Sequence, residues 1–306
     1  MSVKHGEINC QSIYSSGNNK GQQCKNGAYY SVTENNEIKY LCGIHSRGKV
    51  KVELEKVSST EKAAIKEDDY NKRLIVINQV ASKNAEEKRG GYIVLFKMGM
   101  MKTIDYIPGV LSIFPNFKHG NRKDGYGCSR LSPMSLGPVE HGQPNLPPSK
   151  NLENFHQFSK KFACESDEQF KITRLNAYND PVPHRHKFEK MIPEYFVWVD
   201  KTGKEHHLDY ISSRQFYCNF YERLVKKEDQ FLYLKQLISM GYNLQICGYD
   251  AYDIPFSELD GRNIVTDVEK CYLDKSAPFG HERVLYSMLY LNEKDYPWVK
   301  YKTFDF

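Results

Sequence analysis

The chain has 306 residues, of which 40% are hydrophobic and 13% aromatic, which allows a substantial core and excludes an intrinsically disordered segment. Lys and Arg number 43 against 38 Asp and Glu, a net charge of +5 that permits a polyanionic partner without demanding one. No apolar stretch approaches the ~20 residues that span a bilayer, and the polar segment from Met1 to Cys10 lacks the apolar centre of a signal peptide. A soluble, intracellular protein is therefore expected. In a reducing compartment its eight cysteines should be metal ligands or buried thiols rather than disulfides.

The first feature along the chain is a Cys/His constellation: Cys10, Cys24, Cys42 and His45. Cys42-Gly43-Ile44-His45 forms a C-x-x-H hook, in which two intervening residues let both side chains converge on one ion. Three thiolates and one imidazole suit tetrahedral zinc. Four protein ligands close the coordination sphere, so the site is expected to be structural. Residues 15–21 read as a turn-rich knuckle, and Ala28–Thr33 and Glu37–Leu41 as strands around a turn at Glu34-Asn35-Asn36. So few apolar residues need the metal to fold. Lys20, Lys25, Lys39 and Arg47 offer contacts for nucleic acid.

Residues 49–73 are rich in Lys and Glu and read as a solvated helix or connector. Leu74–Val80 reads as a short strand, and Arg89-Gly90-Gly91 as a turn. Tyr92–Met98 and Val110–Phe114 are β-branched, aromatic strands. The long segment 115–151 reads as irregular. Its glycines and Lys118, Arg122, Lys123 and Arg130 suit either phosphate contacts or a structural crossover.

On a helix over Asn151–Phe162, Glu153, His156, Gln157 and Lys160 share one face, with Leu152, Phe155, Phe158 and Phe162 on the buried side. Two prolines hold Asn179–Phe188 extended, presenting His184, Arg185, His186 and Lys187 in alternating directions, with the histidines on one face. Glu194–Val199 and His207–Ile211 read as strands. Ser212 or Ser213 then caps a helix carrying Arg214 in its first turn, where an anion is favoured. A second helix, about Asp229–Met240, stops at Gly241. The strand Asn243–Gly248 delivers Tyr249 and Asp250 at its C-terminal end, where open α/β sheets bind ligands. Pro278-Phe279-Gly280 precedes a helix with His281, Glu282 and Arg283 in its first turn.

The combination of Cys10, Cys24 and Cys42-x-x-His45 with LSPMSLGPV, NLENFHQ, SRQFYCNFYE, QICGYD and PFGHERVLYSML resembles an uncharacterised protein family of large DNA viruses of the mimivirus kind. The resemblance runs over most of the chain. The order strand, Arg-bearing helix, helix, strand, short loop, His-bearing helix also resembles small phage and bacterial domains of unknown function. The resemblance implies a viral protein and brings no activity and no catalytic residue.

The expected organisation is a zinc-binding module over 1–48, a charged connector over 49–90 and an α/β domain over 91–306, with flanking helices on a mixed sheet. No G-x-x-x-x-G-K, G-x-G-x-x-G or H-E-x-x-H is present, which argues against a P-loop NTPase, a typical dinucleotide dehydrogenase and a zincin. The expected function is an enzyme that processes or modifies a nucleotide or nucleic acid by transfer or hydrolysis, with a glycosidic bond as one candidate target. Asp250, Glu282 and His281 are the acid–base candidates, Arg214 the phosphate contact, and Asn154, Gln157 and His184 the substrate readers. The alternative is a non-catalytic viral regulator or virion component that binds nucleic acid or protein. An enzyme should show Arg214, Asp250 and Glu282 converging on one pocket, and a binding module an open basic or apolar surface.

Overall fold

The structure, a computed structural model, describes residues 3–4, 6, 8–15, 19–35, 37–56, 58–99, 104–253 and 264–306, with the backbone alone at 62–63. Two units, Met1–Asp69 and Tyr70–Phe306, each hold their own core.

In the first unit, β1 (Tyr30–Glu34) and β2 (Glu37–Leu41) form the expected hairpin, in register from Tyr30↔Leu41 to Glu34↔Glu37. β3 (Val52–Glu53) pairs with the other edge of β1. Bridges Asn9↔Gly27 and Ile13↔Gln23 hold the segments bearing Cys10 and Cys24 side by side. The buried cluster is small: Val32 and Leu41 around three cysteines.

Helix α1 (Ser59–Glu86) starts at a reciprocal cap, with the Glu61 N–H donating to Ser58 Oγ (3.1 Å) and the Ser58 N–H donating to Glu61 Oε2 (2.9 Å). It absorbs Leu74–Val80, which was expected as a strand. The apolar run is one side of a helix: Ile77 and Ala81, four residues apart, are buried, and Ile75 and Val76 are exposed. Periodicity over seven residues does not separate the two readings, and the 28-residue helical context decides.

The second unit continues in chain order with β4 (Ile93–Lys97), β5 (Val110–Phe114), β6 (Tyr126–Gly127), α2 (Leu152–Gln157), β7 (Lys160–Lys161), α3 (Asp167–Asn179), β8 (Tyr195–Val199) and β9 (Glu205–Leu208). It ends with α4 (Tyr210–Val225), α5 (Asp229–Ser239), β10 (Asn243–Gly248), α6 (Ile264–Leu273), α7 (His281–Tyr290) and α8 (Pro297–Lys300). The main sheet has the order β4-β10-β5-β6 and is parallel throughout. β5 and β10 are buried along their whole length, as strands covered on both faces must be. Helices α5 and α7 pack against β10. A second, antiparallel sheet has the order β7-β8-β9. The parallel sheet with flanking helices, together with the N-terminal Cys/His cluster, gives the α/β class read from the sequence. No helix among the described residues is long and apolar enough to cross a membrane.

Local boundaries differ from expectation in three places. Helix α2 ends at Gln157 rather than Phe162, and the chain turns there into β7; Leu152, Phe155, Phe158 and Phe162 are nevertheless all buried. The strand expected to reach Ile211 stops at Leu208, because Asp209 caps α4 by accepting the Ser212 N–H at 2.8 Å. Asp209 outcompetes both serines as cap and moves Arg214 out of the first turn. The histidines of the 179–188 segment do not share a face: His186 is buried against Glu165 (2.9 Å) and stacks on Phe158, whereas His184 is exposed and pairs with Asp180 (2.8 Å).

Candidate functional site

Cys10, Cys24, Cys42 and His45 converge. Their ligand atoms all lie within 4.8 Å of one another, and the three thiols are buried. Cys10 Sγ and His45 Nδ1 are 3.5 Å apart, Cys42 Sγ and His45 Nδ1 3.3 Å, and Cys24 Sγ and Cys42 Sγ 4.0 Å. Ligands placed tetrahedrally at zinc bond lengths are separated by about 3.5–3.8 Å. The cluster could hold one such ion after a small inward movement of its ligands. Burial pushes the Cys42 thiol up, but the backbone amides of His45 and Ile44, the His45 ring and Cys10 outweigh it and bring the thiol to about 6. The hook thus favours a thiolate before any metal arrives. Around the cluster, the Asn26 side-chain amide points at Cys42 Sγ (3.9 Å), and the Tyr14 hydroxyl lies 3.6 Å from Cys24 Sγ.

The second constellation lies at the C-terminal end of the parallel sheet. β10 ends at Gly248, and the chain passes through Tyr249 to an exposed Asp250. Helix α7 begins at His281, with Glu282 in its first turn, where the helix dipole favours a carboxylate. A Cβ at Gly280 would sit 3.2 Å from Glu282 Oε2 and 3.6 Å from Asp250 Oδ2, so both carboxylates border one point. His281 Nδ1 lies 3.2 Å from Glu282 Oε2. Glu282 is only 1% exposed, and neither of its oxygens has a hydrogen-bond partner among the described residues; His281 Nε2 is likewise buried and unpartnered. A buried carboxylate without donors costs several kcal/mol, so this arrangement is not one that packing alone selects.

Arg283 holds the two chain segments together. Its guanidinium donates at 3.1 Å to Tyr252 O and Asp253 O, after β10, and to Pro278 O, before α7. Gly248 permits the close approach of Glu282: a Cβ there would run into the Glu282 Oε1, Cγ and Cδ atoms. Gly248→Ala is therefore expected to displace Glu282 at an overpacking cost of about 1–3 kcal/mol. Gly280→Ala meets nothing closer than Asp250 Cβ at 3.0 Å and is expected to cost much less. Thermal unfolding of the two variants tests the packing, and equal melting temperatures would contradict it.

No protein-family model, curated protein or solved structure matches this chain.

The polar face expected on α2 comes near enough to the acidic site for the charge of His281 to act on Glu153. Glu153, His156, Gln157, Lys160, Tyr217 and His281 are all half-buried. Burial nevertheless raises the Glu153 carboxyl, lowers the Lys160 amine, drives the His156 ring well down and drives the Tyr217 phenol well up. Hydrogen bonds link the side chains of this face. Lys160 Nζ donates to Gln157 Oε1 (2.7 Å), and Gln157 Nε2 donates to Glu153 Oε1 (3.0 Å). The His156 ring meets Tyr217 edge-on at 4.8 Å, and the charges of Glu153 and Glu282 both act on the Tyr217 hydroxyl. Tyr221 connects the two ends, its ring 6.2 Å from His281.

Of the residues singled out in the sequence, Asp250, His281 and Glu282 come together around Gly280, and Gln157 stands on the polar face of α2 between Glu153 and Lys160. The other three have different partners. Arg214 is buried and donates to the carbonyls of Cys271 (3.4 Å), Tyr272 and Ala277 and to Tyr210 Oη (2.9 Å), closing the C-terminal end of α6. Among the described residues Arg214 shares no contact with Asp250 or Glu282, so the convergence of all three expected of an enzyme is not met: Asp250 and Glu282 approach each other at Gly280, and Arg214 is spent on the carbonyls of α6 and the segment after it. Asn154 is fully buried, its amide donating to Ala177 O, Asp180 O and Val182 O while its Oδ1 accepts the His184 N–H. His184 is tied to Asp180. Arg214→Met keeps the aliphatic stem but strands three carbonyls, which is expected to cost about 3 kcal/mol. A urea unfolding midpoint unchanged from the parent would refute that role.

Tyr217 and Arg283 were visible in the sequence but not among the site residues read from it. Tyr217 sits one turn after Arg214 on α4, four residues before the Tyr221 that also reaches the site, and that spacing is the signal it offered. Arg283 was visible beside His281-Glu282, but nothing local shows which carbonyls it reaches. The long segment 115–151 is largely packing: Leu131, Leu136, Val139, His141, Gln143 and Ser149 are buried in it, and its Arg122 and Arg130 are paired with Asp124 and Glu228.

Proposed function

We propose that this chain is an enzyme of large-DNA-virus type that acts on a nucleotide or nucleic acid, with a structural zinc ion in its N-terminal unit. The observation that carries the catalytic reading is the donor-free, buried Glu282 carboxylate beside His281, with the exposed Asp250 on the other side of Gly280. Two carboxylates and an imidazole around one point supply what acid–base catalysis needs: one group to take a proton and another to deliver it. Paired carboxylates are also the recurring equipment for cleaving a glycosidic bond, and hydrolysis or transfer at the N-glycosidic bond of a nucleotide is the reaction that suits the set. Tyr217, whose phenol is held neutral by burial and by neighbouring carboxylates, is available as a donor to the substrate. Cys10, Cys24, Cys42 and His45 would hold the zinc with no open position, so its contribution is folding rather than chemistry.

The direct test incubates the purified full chain with nucleosides, nucleotides and short single strands and follows base release by chromatography. Absence of base release, and of any base exchange, across the panel would remove this reading. One observation favours the binding-module alternative: the first unit leaves Ile13, Ile38, Ile44, Val50 and Val52 exposed.

A further inference from the structure

Residues Thr303–Phe306 follow α8 without entering a helix or strand, and among the described residues their main chain makes no hydrogen bond to another main chain. Their partners are side chains of α4. Gln215 is 1% exposed, and its side-chain amide bonds only to this segment among the described residues. Its Nε2 donates to Phe304 O (2.6 Å), and its Oε1 accepts from Thr303 N (2.8 Å), Thr303 Oγ1 (2.7 Å) and Phe304 N (3.2 Å). Buried Ser212 Oγ lies 3.1 Å from Thr303 Oγ1, and Arg223 donates to Phe306 O. Thr303 and Asp305 are exposed and Phe304 and Phe306 half-buried, the alternation of an extended chain laid on a surface. The Phe306 ring meets Trp198 of β8 and Phe216 of α4 edge-on at 5.5 and 5.3 Å, and the Phe304 ring meets His206 of β9 edge-on at 5.5 Å.

A buried amide that gives both its donor and its acceptor to one stretch of backbone holds that backbone whatever side chains it carries. Extended peptides are recognised in this way: bonds to the main chain supply affinity, and contacts to alternate side chains supply specificity. Specificity here falls to the hydroxyl at Thr303 and the rings at Phe304 and Phe306. Asp305 between them faces outward. We propose that α4 and strands β8 and β9 form a recognition groove for an extended Thr-Phe-x-Phe or Ser-Phe-x-Phe peptide of a partner protein, with Thr303–Phe306 as the chain's own competing occupant. The seated segment itself shows the chemistry that fits. A second copy is a poor source of it. Only Tyr301 and Lys302 join the segment to α8, a reach of about 7 Å, and Tyr301 is tied down, its N–H donating to Pro297 O (2.8 Å) and its hydroxyl to Glu269 (3.3 Å).

The test follows the fluorescence anisotropy of a labelled peptide, Lys-Thr-Phe-Asp-Phe, titrated with the full chain carrying Phe304→Ala and Phe306→Ala. That double variant keeps its backbone and empties both ring positions. Saturable binding is expected, at least about tenfold tighter than to the parent, whose own segment competes. Adding Gln215→Ala should weaken the peptide at least about tenfold, because four hydrogen bonds are lost. A peptide carrying Phe306→Ala should also bind about tenfold more weakly. In the parent, excess peptide should displace the segment and speed hydrogen exchange at the Thr303 and Phe304 amides, a readout that does not depend on a variant's folding. No saturable binding to the double variant together with unchanged exchange in the parent would overturn the proposal. Binding that Gln215→Ala leaves unaltered would do the same. Self-association of the parent that Gln215→Ala abolishes would seat a second copy's segment in the groove and overturn the partner reading. None of these readouts involves turnover, so the catalytic reading stands or falls separately.

Discussion

Replacing Cys42 and His45 together, as Cys42→Ser with His45→Ala, is expected to release about one equivalent of zinc per chain and to unfold the first unit. The reason is the size of its core. Val32 and Leu41, with Ala28, are its buried aliphatic residues among those described, around Cys10, Cys24 and Cys42. Burying such side chains contributes about 1.5–3 kcal/mol each, whereas ordering each residue costs about 1–2 kcal/mol. A structural zinc supplies roughly 10–16 kcal/mol, enough to reverse that balance. Metal analysis of the purified chain should find close to one equivalent in the parent and almost none in the double variant. Hydrogen exchange should then lose protection across Met1–Asp69 and keep it across Tyr70–Phe306. Full zinc content in the double variant, or unchanged protection after chelation, would defeat the site.

The Cys/His cluster was legible because the capacity to coordinate depends on residue type, and the C-x-x-H hook needs only local backbone to aim two side chains at one point. The sheet was legible for a related reason. Tyr92–Met98, Val110–Phe114 and Asn243–Gly248 are short, apolar and bounded by turn residues, and all three became strands within a residue or two of the reading. Asp250 was placed correctly at a strand C-terminus because chain direction alone determines which end of a parallel sheet a following loop occupies. Where one residue competes with its neighbour for the same role, local sequence failed. Asp209 took the cap from Ser212 and Ser213, and that shift of three or four residues carried Arg214 away from the helix start. Leu74–Val80 shows the same limit: seven residues cannot show whether they stand alone or inside a long helix.

Long-range partners were the other illegible quantity. An arginine in a sequence reads as a phosphate ligand or as a clamp with equal ease, and only the fold shows that Arg214 meets the carbonyls of α6 and Arg283 those flanking β10 and α7. Asn154 is a comparable case, since four hydrogen bonds to segments about 23–30 residues away exhaust its amide. Conversely, Glu153, His156 and Gln157 do share the half-buried side of α2, but the helix ends at Gln157 and Lys160 falls in β7, an early stop that the local sequence did not indicate.

Glu282→Gln is expected to reduce turnover by about 10²- to 10⁴-fold on whichever nucleotide the panel identifies, the range that general acid–base groups contribute. The substitution preserves shape and removes the charge and the proton-transfer capacity. Its effect on stability separates a catalytic role from a structural one. Glu282 makes no ion pair with Arg214, whose donors go to carbonyls, and neither Glu282 oxygen accepts a hydrogen bond among the described residues. His281 Nδ1 lies 3.2 Å from its Oε2. A buried charge so poorly compensated destabilises the fold, so the amide variant should melt at the same temperature as the parent or higher. Activity sites commonly carry such a deficit, and neutralising them trades function for stability. Asp250→Asn, at an exposed position, should lower turnover without moving the melting temperature in either direction. A Glu282→Gln chain that melts earlier and retains turnover would assign Glu282 to the architecture of α7 and leave the proposed site without its acid.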